Sequence, residues 1–164
     1  ELFDLTPTVL ELAGIARRHT HFARSLVPQL RGEPGDPGRA AFAEGGYDPY
    51  EPHCFEGHEG GEQWLRAPGH IYAPKVSLQQ SEPRSVCRAT MIRTLTHKLV
   101  RRPRDVSELY DLQNDPDETR NLYNHPAYTA VQRDLELRLL DWHIQTADVT
   151  PFDENPRGHT KLTS

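Results

Sequence analysis

The stretch Glu108-Leu109-Tyr110-Asp111-Leu112-Gln113-Asn114-Asp115-Pro116-Asp117-Glu118-Thr119-Arg120-Asn121-Leu122 decides how this chain is read. Glu108 to Leu112 alternates polar and apolar side chains around an aromatic, the pattern of a short, half-buried strand. Asp115 is a plausible cap for a helical turn, Pro116 suits its first position, and Glu118 stands three residues after the cap. Asn121 and Leu122 then close the turn and return an apolar side chain to the core. The expected role of these residues is therefore structural rather than direct contact with a substrate. Asp115 and Asp117 do not make a cation loop, because the D-x-[DN]-x-[DN]-G pattern fails and Pro116 interrupts it.

Outward from this stretch the pattern continues. Upstream, Val86 to Arg102 predicts a β-hairpin, with Cys87, Ala89 and Met91 alternating on one face and Lys98, Leu99 and Val100 in the second strand. Together with Leu109 to Leu112 this makes a small antiparallel sheet, which normally buries one face. The cover is expected downstream, in a helix that starts near Pro126. Tyr128, Val131, Leu135, Leu139 and Trp142 recur there at helical spacing, with Leu140 beside them. Residues 148–164 are proline-rich, glycine-containing and polar, and read as a tail.

At the other end, Thr6 is the expected N-cap of a first helix, with Pro7 at its first position and Gly14 as its stop. Leu5 and Leu10 stand at the spacing of a hydrophobic staple. Val9, Leu10, Leu12 and Ala13 give this helix an apolar face. Ser25 to Gly32 predicts a short capped helix, Glu33 to Gly38 a loop, and Arg39 to Glu44 a short strand through Phe42. Residues 45–84 show little periodicity and read as a long irregular segment, of the kind that in compact domains is functional or disordered.

Composition sets the outer limits. A chain of 164 residues is long enough for one domain. Only 35% of it is hydrophobic, and it holds 14 prolines and 11 glycines. That is a thin core with many loops, and it suits a piece that packs against something larger. The net charge of −5 includes no dominant basic patch, so nucleic acid is not an expected partner. No apolar run approaches the roughly 20 residues of a membrane span, so no membrane partner is expected either. Cys54 and Cys87 lack metal-type spacing. One disulfide between them and two free thiols both remain open. No pattern assigns a compartment.

Three separated segments together carry a resemblance. Glu108 to Leu122 resembles the "ELYDL-x-x-DP-x-E-x-x-NL" signature in the C-terminal part of type I sulfatases. Asp4-Leu5-Thr6-Pro7-Thr8-Val9-Leu10-Glu11-Leu12-Ala13-Gly14-Ile15, followed by Ser25 to Gly32, resembles the "D-x-x-PT-x-L-x-LAG-I" helix and the "SL-x-P-x-L-x-G" segment of that family. Met91-Ile92-Arg93-Thr94 with His97-Lys98-Leu99 resembles its "MIRT-x-x-x-KL" hairpin. The chain thus resembles the C-terminal portion of a formylglycine-dependent, arylsulfatase-like sulfatase of the alkaline phosphatase superfamily. The resemblance implies an α/β fragment of that fold followed by a C-terminal α+β subdomain, a small antiparallel sheet covered by a long helix. In this expectation 1–44 is the end of the α/β catalytic core, with the Phe42 strand joining the edge of the large sheet. Residues 45–84 form an irregular, substrate-facing loop, 85–147 the sheet-and-helix subdomain, and 148–164 the tail.

The resemblance further implies sulfate-ester hydrolysis by a formylglycine nucleophile, with a calcium ion and Lys and His groups at the sulfate. All of these lie upstream of the Pro7 helix in the family. The expectation is therefore a portion of a longer enzyme, missing its N-terminal catalytic region. Calcium belongs to the parent with no ligands in this chain, no catalytic residue is present, and the isolated chain should be inert. Cys87-Arg88-Ala89-Thr90-Met91 imitates the nucleophile motif but lacks its closing Arg. It sits in a predicted hairpin, not at the helix N-terminus that an oxyanion favours. Glu56-Gly57-His58-Glu59 lacks the H-E-x-x-H spacing of a zinc site. His97 reads as an exposed turn residue.

What remains is contact with a sulfated small molecule or glycan. Tyr47, Tyr50, Glu51, His53, Glu56 and His58 combine ring faces with hydrogen-bonding groups, as a sugar or aryl subsite requires. Two rival functions stay open. One is a phosphoester or phosphonate ester hydrolase of the same superfamily, which nucleophile and metal ligands would distinguish. The other is a free-standing, non-catalytic binding module acting through 45–84.

Overall fold

A computed structural model describes residues 1–16, 21–48, 50–51, 56 and 61–147. The chain divides into two compact units, one of Glu1–Ala41 with the segment from Glu136 onward, the other of Phe42–Leu135. The sequence reading draws its first boundary three residues later, at 44/45.

In the first unit, a 3-10 turn at Leu2–Asp4 leads into α1, Leu5–Leu12. The helix thus begins one residue before the expected cap. Thr6 lies inside it, and Asp4 takes the N-cap position without a side-chain cap bond. The Asp4 side chain is engaged elsewhere. It accepts from the Arg24 amide at 2.9 Å and from the Arg39 guanidinium at 2.8 and 2.7 Å. Thr8 extends this node by donating to the Asp4 carbonyl at 2.6 Å and accepting from the Leu26 amide at 2.9 Å. A tertiary demand for a buried acceptor has displaced the local capping role. Gly14, at φ +68°, ends the helix as expected, a conformation a side chain would resist. The apolar face of α1 faces solvent: Leu5, Val9 and Leu12 are 53%, 60% and 63% exposed. The short helix α2, Val27–Leu30, follows, with Ser25 Oγ accepting from the Val27 amide at 3.2 Å.

The second unit is built on a four-stranded sheet of order β1-β2-β3-β4, with β1 Ala41–Gly45, β2 Ala89–Arg93, β3 His97–Arg101 and β4 Glu108–Asp111. β2, β3 and β4 run antiparallel, with Ile92 opposite Leu99 and Leu99 opposite Leu109. These three side chains are fully buried and are the centre of the core. The expected hairpin is present. Ile92 points in, Ala89 and Met91 are half-buried, and Cys87 lies ahead of the strand. Ala89 and Met91 share the face opposite Ile92, as alternation along a strand requires, and Cys87 is itself buried. The Phe42 strand, expected at the edge of a large sheet, stands beside β2.

The 108–122 stretch is structural throughout. Asp111 accepts from the amides of Gln113 and Asn114 and from Asn114 Nδ2. Asp115 accepts from the amides of Thr119 and Arg120 at 3.1 and 2.8 Å, closing a turn rather than a helix. Glu118, at φ +55°, does not reach back to the cap but forms ion pairs with Arg93 and Lys98. Asn121 acts as a surrogate strand neighbour. Its Oδ1 accepts from the Leu109 amide at 3.1 Å, its Nδ2 donates to the Ser107 carbonyl at 3.0 Å, and the Leu122 amide donates to the Leu109 carbonyl at 2.8 Å. The far edge of β4 is thereby covered, as an exposed sheet edge requires.

A 3-10 turn at Pro126–Tyr128, capped by His125 Nδ1, opens α4, Thr129–Thr146. Tyr128 donates to Asp111 Oδ2 at 3.2 Å, which ties the start of this long helix to the end of β4. Leu135 and Leu139 are buried, with Tyr128, Val131 and Trp142 half-buried on the same stripe; Leu140 faces solvent. No described helix is long and apolar enough to cross a membrane.

Candidate substrate-facing surface

The segment 45–84, read as irregular, contains regular structure. A 3-10 turn at Gln63–Arg66 buries Leu65, and a helix, α3 at Ala73–Ser81, buries Val76 and Gln79. Proline at the start of α3 and only two buried positions leave a weak helical period, which is why spacing alone does not reveal it.

The entry to this segment is pinned to the strand side of the unit. Tyr47 pairs with Cys87 in an isolated parallel bridge. The Tyr47 amide donates to the Val86 carbonyl at 2.7 Å, and the Arg88 amide donates to the Tyr47 carbonyl at 3.1 Å. The approach is so close that a Cβ on Gly46, which sits at φ +90°, would stand 2.4 Å from the Cys87 carbonyl oxygen. Beyond Tyr47 the backbone turns, the Glu51 amide donating to the Asp48 carbonyl at 2.9 Å. The two acidic side chains stitch this turn. Asp48 Oδ1 accepts from the Tyr50 amide at 3.1 Å, and Glu51 Oε2 accepts from the Asp48 amide at 2.9 Å.

Four of the six expected site residues fall among the described residues; His53 and His58 lie outside them, as does Cys54. The four divide into two groups. Tyr50, 79% exposed, and Glu51 share the Asp48 turn with two arginines that the sequence reading did not single out. Arg104 lies 5.1 Å from the centre of the Tyr50 ring and 3.5 Å from Asp48, and Arg88 lies 3.6 Å from Glu51. Tyr47, 41% exposed, sits at the Cys87 bridge that leads into this turn, and Glu56 belongs with α3. Lys75 donates to Glu56 Oε1 at 2.7 Å and lies 5.9 Å from the Tyr72 ring centre. The Glu56 hydrogen bond raises the Lys75 pKa, with smaller contributions from Tyr72 and Tyr47. The Glu56 amide donates to Gln79 Oε1 at 3.0 Å. Trp64 and Tyr72 flank His70, at 5.0 and 5.8 Å between ring centres, and both are largely exposed. Trp64, Tyr72 and Lys75 were also missed; a pair of large aromatics within a polar segment was the available signal.

Cys87 is a buried free thiol behind the Tyr47 bridge, its Sγ 3.9 Å from the Pro83 carbonyl oxygen. It adjoins a 3-10 turn and a strand, so no helix N-terminus surrounds it. His97, expected as an exposed turn residue, opens β3 half-buried, with Nδ1 2.9 Å from Thr96 Oγ1. No group of three or more His, Cys, Asp or Glu is placed to hold a metal ion among the described residues. The surface has the makings of a binding face, with exposed rings, hydrogen-bonding carboxylates and cations.

The chain is similar to known proteins in one segment and in fold. Residues 78–145 match the family model described as "N-sulphoglucosamine sulphohydrolase, C-terminal". The fold resembles that of a Bacteroides thetaiotaomicron protein described as a putative sulfatase (23% identity, TM-score 0.60, 94% of this chain and 27% of that one). It also resembles a protein solved in complex with its substrate D-glucosamine-2-N,6-O-disulfate (23%, TM-score 0.58, 96% and 25%). A phosphonate monoester hydrolase of Agrobacterium radiobacter is similar to the same degree (23%, TM-score 0.61, 98% and 28%). The chain thus spans about a quarter of the length of each of these proteins.

Proposed function

We propose that this chain, whose 78–145 segment matches a sulfatase C-terminal family model and whose fold resembles that of a putative sulfatase, forms the leaving-group side of the active site of a sulfuric ester hydrolase. The observation that carries this reading is the Tyr47–Glu51 turn. It is clamped by backbone bonds to Val86 and Arg88, beside the start of the matched family segment, yet presents Tyr50 and Tyr47 to solvent. A rigid base with exposed ring faces suits the binding of a sugar or aryl group. In this reading the nucleophile, the sulfate-binding cations and any calcium ligands lie in the part of the longer protein outside this chain. The sulfated amino sugar bound by one similar protein supports a sulfated glycan as the substrate class.

Contacts far from the reacting sulfur contribute binding energy only for substrates large enough to reach them. Tyr50→Ala and Glu51→Ala in the full-length enzyme are therefore expected to lower kcat/KM on a sulfated glycan by about one to two decades, the equivalent of about 1–3 kcal/mol. A small aryl sulfate should be hydrolysed at the parent rate. Equal losses on both substrates would place these residues at the sulfur and overturn the reading.

The phosphonate monoester hydrolases favour a second reading, since their fold matches this chain as well as the sulfatases do. The family model for 78–145 weighs on the sulfatase side. Assay of the full-length enzyme on matched aryl sulfate and phosphonate monoester substrates decides between them, the better substrate by kcat/KM naming the chemistry.

A further inference from the structure

The geometry points to Arg88 and Arg104 as an anion clamp within this leaving-group surface, accepting a second negative group of the sugar, a carboxylate or a further sulfate, while its ring lies against Tyr50. The inference rests on the leaving-group reading above and adds to it two residues and a substrate class.

Three features of the Asp48–Glu51 turn carry it. First, its acidic side chains are committed to the backbone. Asp48 Oδ1 accepts from the Tyr50 amide, and Glu51 Oε2 from the Asp48 amide. Second, the two arginines approach those carboxylates only at 3.5 and 3.6 Å, beyond good hydrogen-bond geometry. With the arginine side chains 52% and 69% exposed, these are weak, solvent-screened pairs. The contrast within the same unit is Lys75, which makes a 2.7 Å bond to Glu56. The turn thus holds two guanidinium groups nearby by long-range attraction without tying up their donors. Third, the arginines come from separate parts of the sheet framework. Arg88 follows the Tyr47 bridge, and Arg104 lies in the β3–β4 connection over the Tyr50 ring at 5.1 Å. Two planar, multi-donor cations on one turn, Arg104 at the exposed Tyr50 ring and Arg88 at Glu51, supply the chemistry that recognises a carboxylate or sulfate carried on a ring.

The 164-residue chain is titrated, with amide shifts followed by NMR, against three ligands. These are a disaccharide bearing one sulfate and one uronate, the same disaccharide with the uronate reduced to an alcohol, and a glucosamine bearing two sulfates. The expected result is that the first and third move the amides of Gly46, Tyr47, Asp48, Tyr50, Glu51, Arg88 and Arg104, and that their relative affinities tell carboxylate from sulfate. The reduced disaccharide should bind about tenfold or more weakly, and added salt should weaken the two dianionic ligands most. Arg88→Gln with Arg104→Gln should bring all three ligands to the level of the reduced one, with a spectrum otherwise that of the parent. Arg133→Gln, an exposed arginine on α4, should change nothing. If all three sugars shift the amides of this turn equally, in parent and double variant alike, the clamp is overturned and the leaving-group surface stands. If none shifts them, both fall. A loss in Arg133→Gln as large as in the double variant would mean bulk charge alone, and would also overturn the clamp.

Discussion

Gly46 is the residue on which the candidate surface hangs. It joins a positive φ of 90° to a backbone approach that leaves no room for a methyl group, with the Cys87 carbonyl oxygen 2.4 Å from where one would stand. Gly46→Ala is expected to lose about 1–3 kcal/mol of stability, the usual cost of a side chain in such a conformation with added overlap. Urea denaturation of the two proteins measures it, and an unchanged midpoint would show that the turn is not held against Val86–Arg88 in solution. Asp4 sets a second residue-scale test. Burial alone would raise its pKa. The Arg39 hydrogen bonds and the Arg24 amide outweigh burial and bring it from 3.8 down to about 2. A carboxylate whose folded value is depressed contributes stability above its unfolded value, and that contribution is lost as pH falls toward the folded one. The contribution is about 2 kcal/mol at neutral pH, at 1.36 kcal/mol per unit. The advantage of the parent over Asp4→Asn should therefore be full above about pH 4 and shrink between there and pH 2. Parallel pH–stability curves for the two would refute the linkage.

At the scale of the element, the unevenness lies between the sheet and α1. β2, β3 and β4 share a core of Ile92, Leu99 and Leu109 and have the edge of β4 covered by Asn121 and Leu122. α1 keeps Leu5, Val9 and Leu12 at the surface. Amides of β3 and β4 should exchange slowest in the chain and those of α1 much faster, because local opening follows buried apolar contact. Protection of α1 equal to that of β3 would contradict this ordering. Asn121→Ala removes the acceptor for the Leu109 amide and the donor to the Ser107 carbonyl. The expected cost is about 1–3 kcal/mol by thermal or chemical melting, since a buried amide at a fully buried residue is left unpaired.

Taken whole, the chain spans about a quarter of the length of the proteins its fold resembles, and several of its described polar and thiol side chains have structural partners. Cys87 is buried behind a bridge, while Asp111, Asp115 and Asn121 close turns and edges. The purified 164-residue chain is expected to show no turnover of an aryl sulfate in excess calcium. Turnover abolished by Cys87→Ala would reverse that expectation. The exposed leucines and valine of α1 should also drive self-association of the isolated chain. Light scattering would test this, with Leu5→Ser/Val9→Ser remaining monomeric at concentrations where the parent does not.

Local chemistry determined a good deal by itself. The alternation Glu108–Leu112, the hairpin before it and the helical stripe Leu135–Leu139 specified strands, order and a final helix, because each rests on side-chain period within one element. The first helix, with Pro7 in its first turn and Gly14 as its stop, and the glycine-ended segment after it, were legible from capping and stop residues. Tertiary structure alone decided what lies between elements. Asp4 was drawn into a buried node with Arg39, and Glu118 from the expected capping box to Lys98 and Arg93. The inward face of β2 followed its register with β3, and α3, with two buried positions, left too faint a period to read. The candidate surface belongs to this second kind. Tyr50 and Glu51 could be nominated from residue type, but Arg88 and Arg104 join them only because the Tyr47–Cys87 bridge and the β3–β4 connection bring segments 38 and 54 residues apart in sequence to one turn, a long-range closure no local pattern encodes.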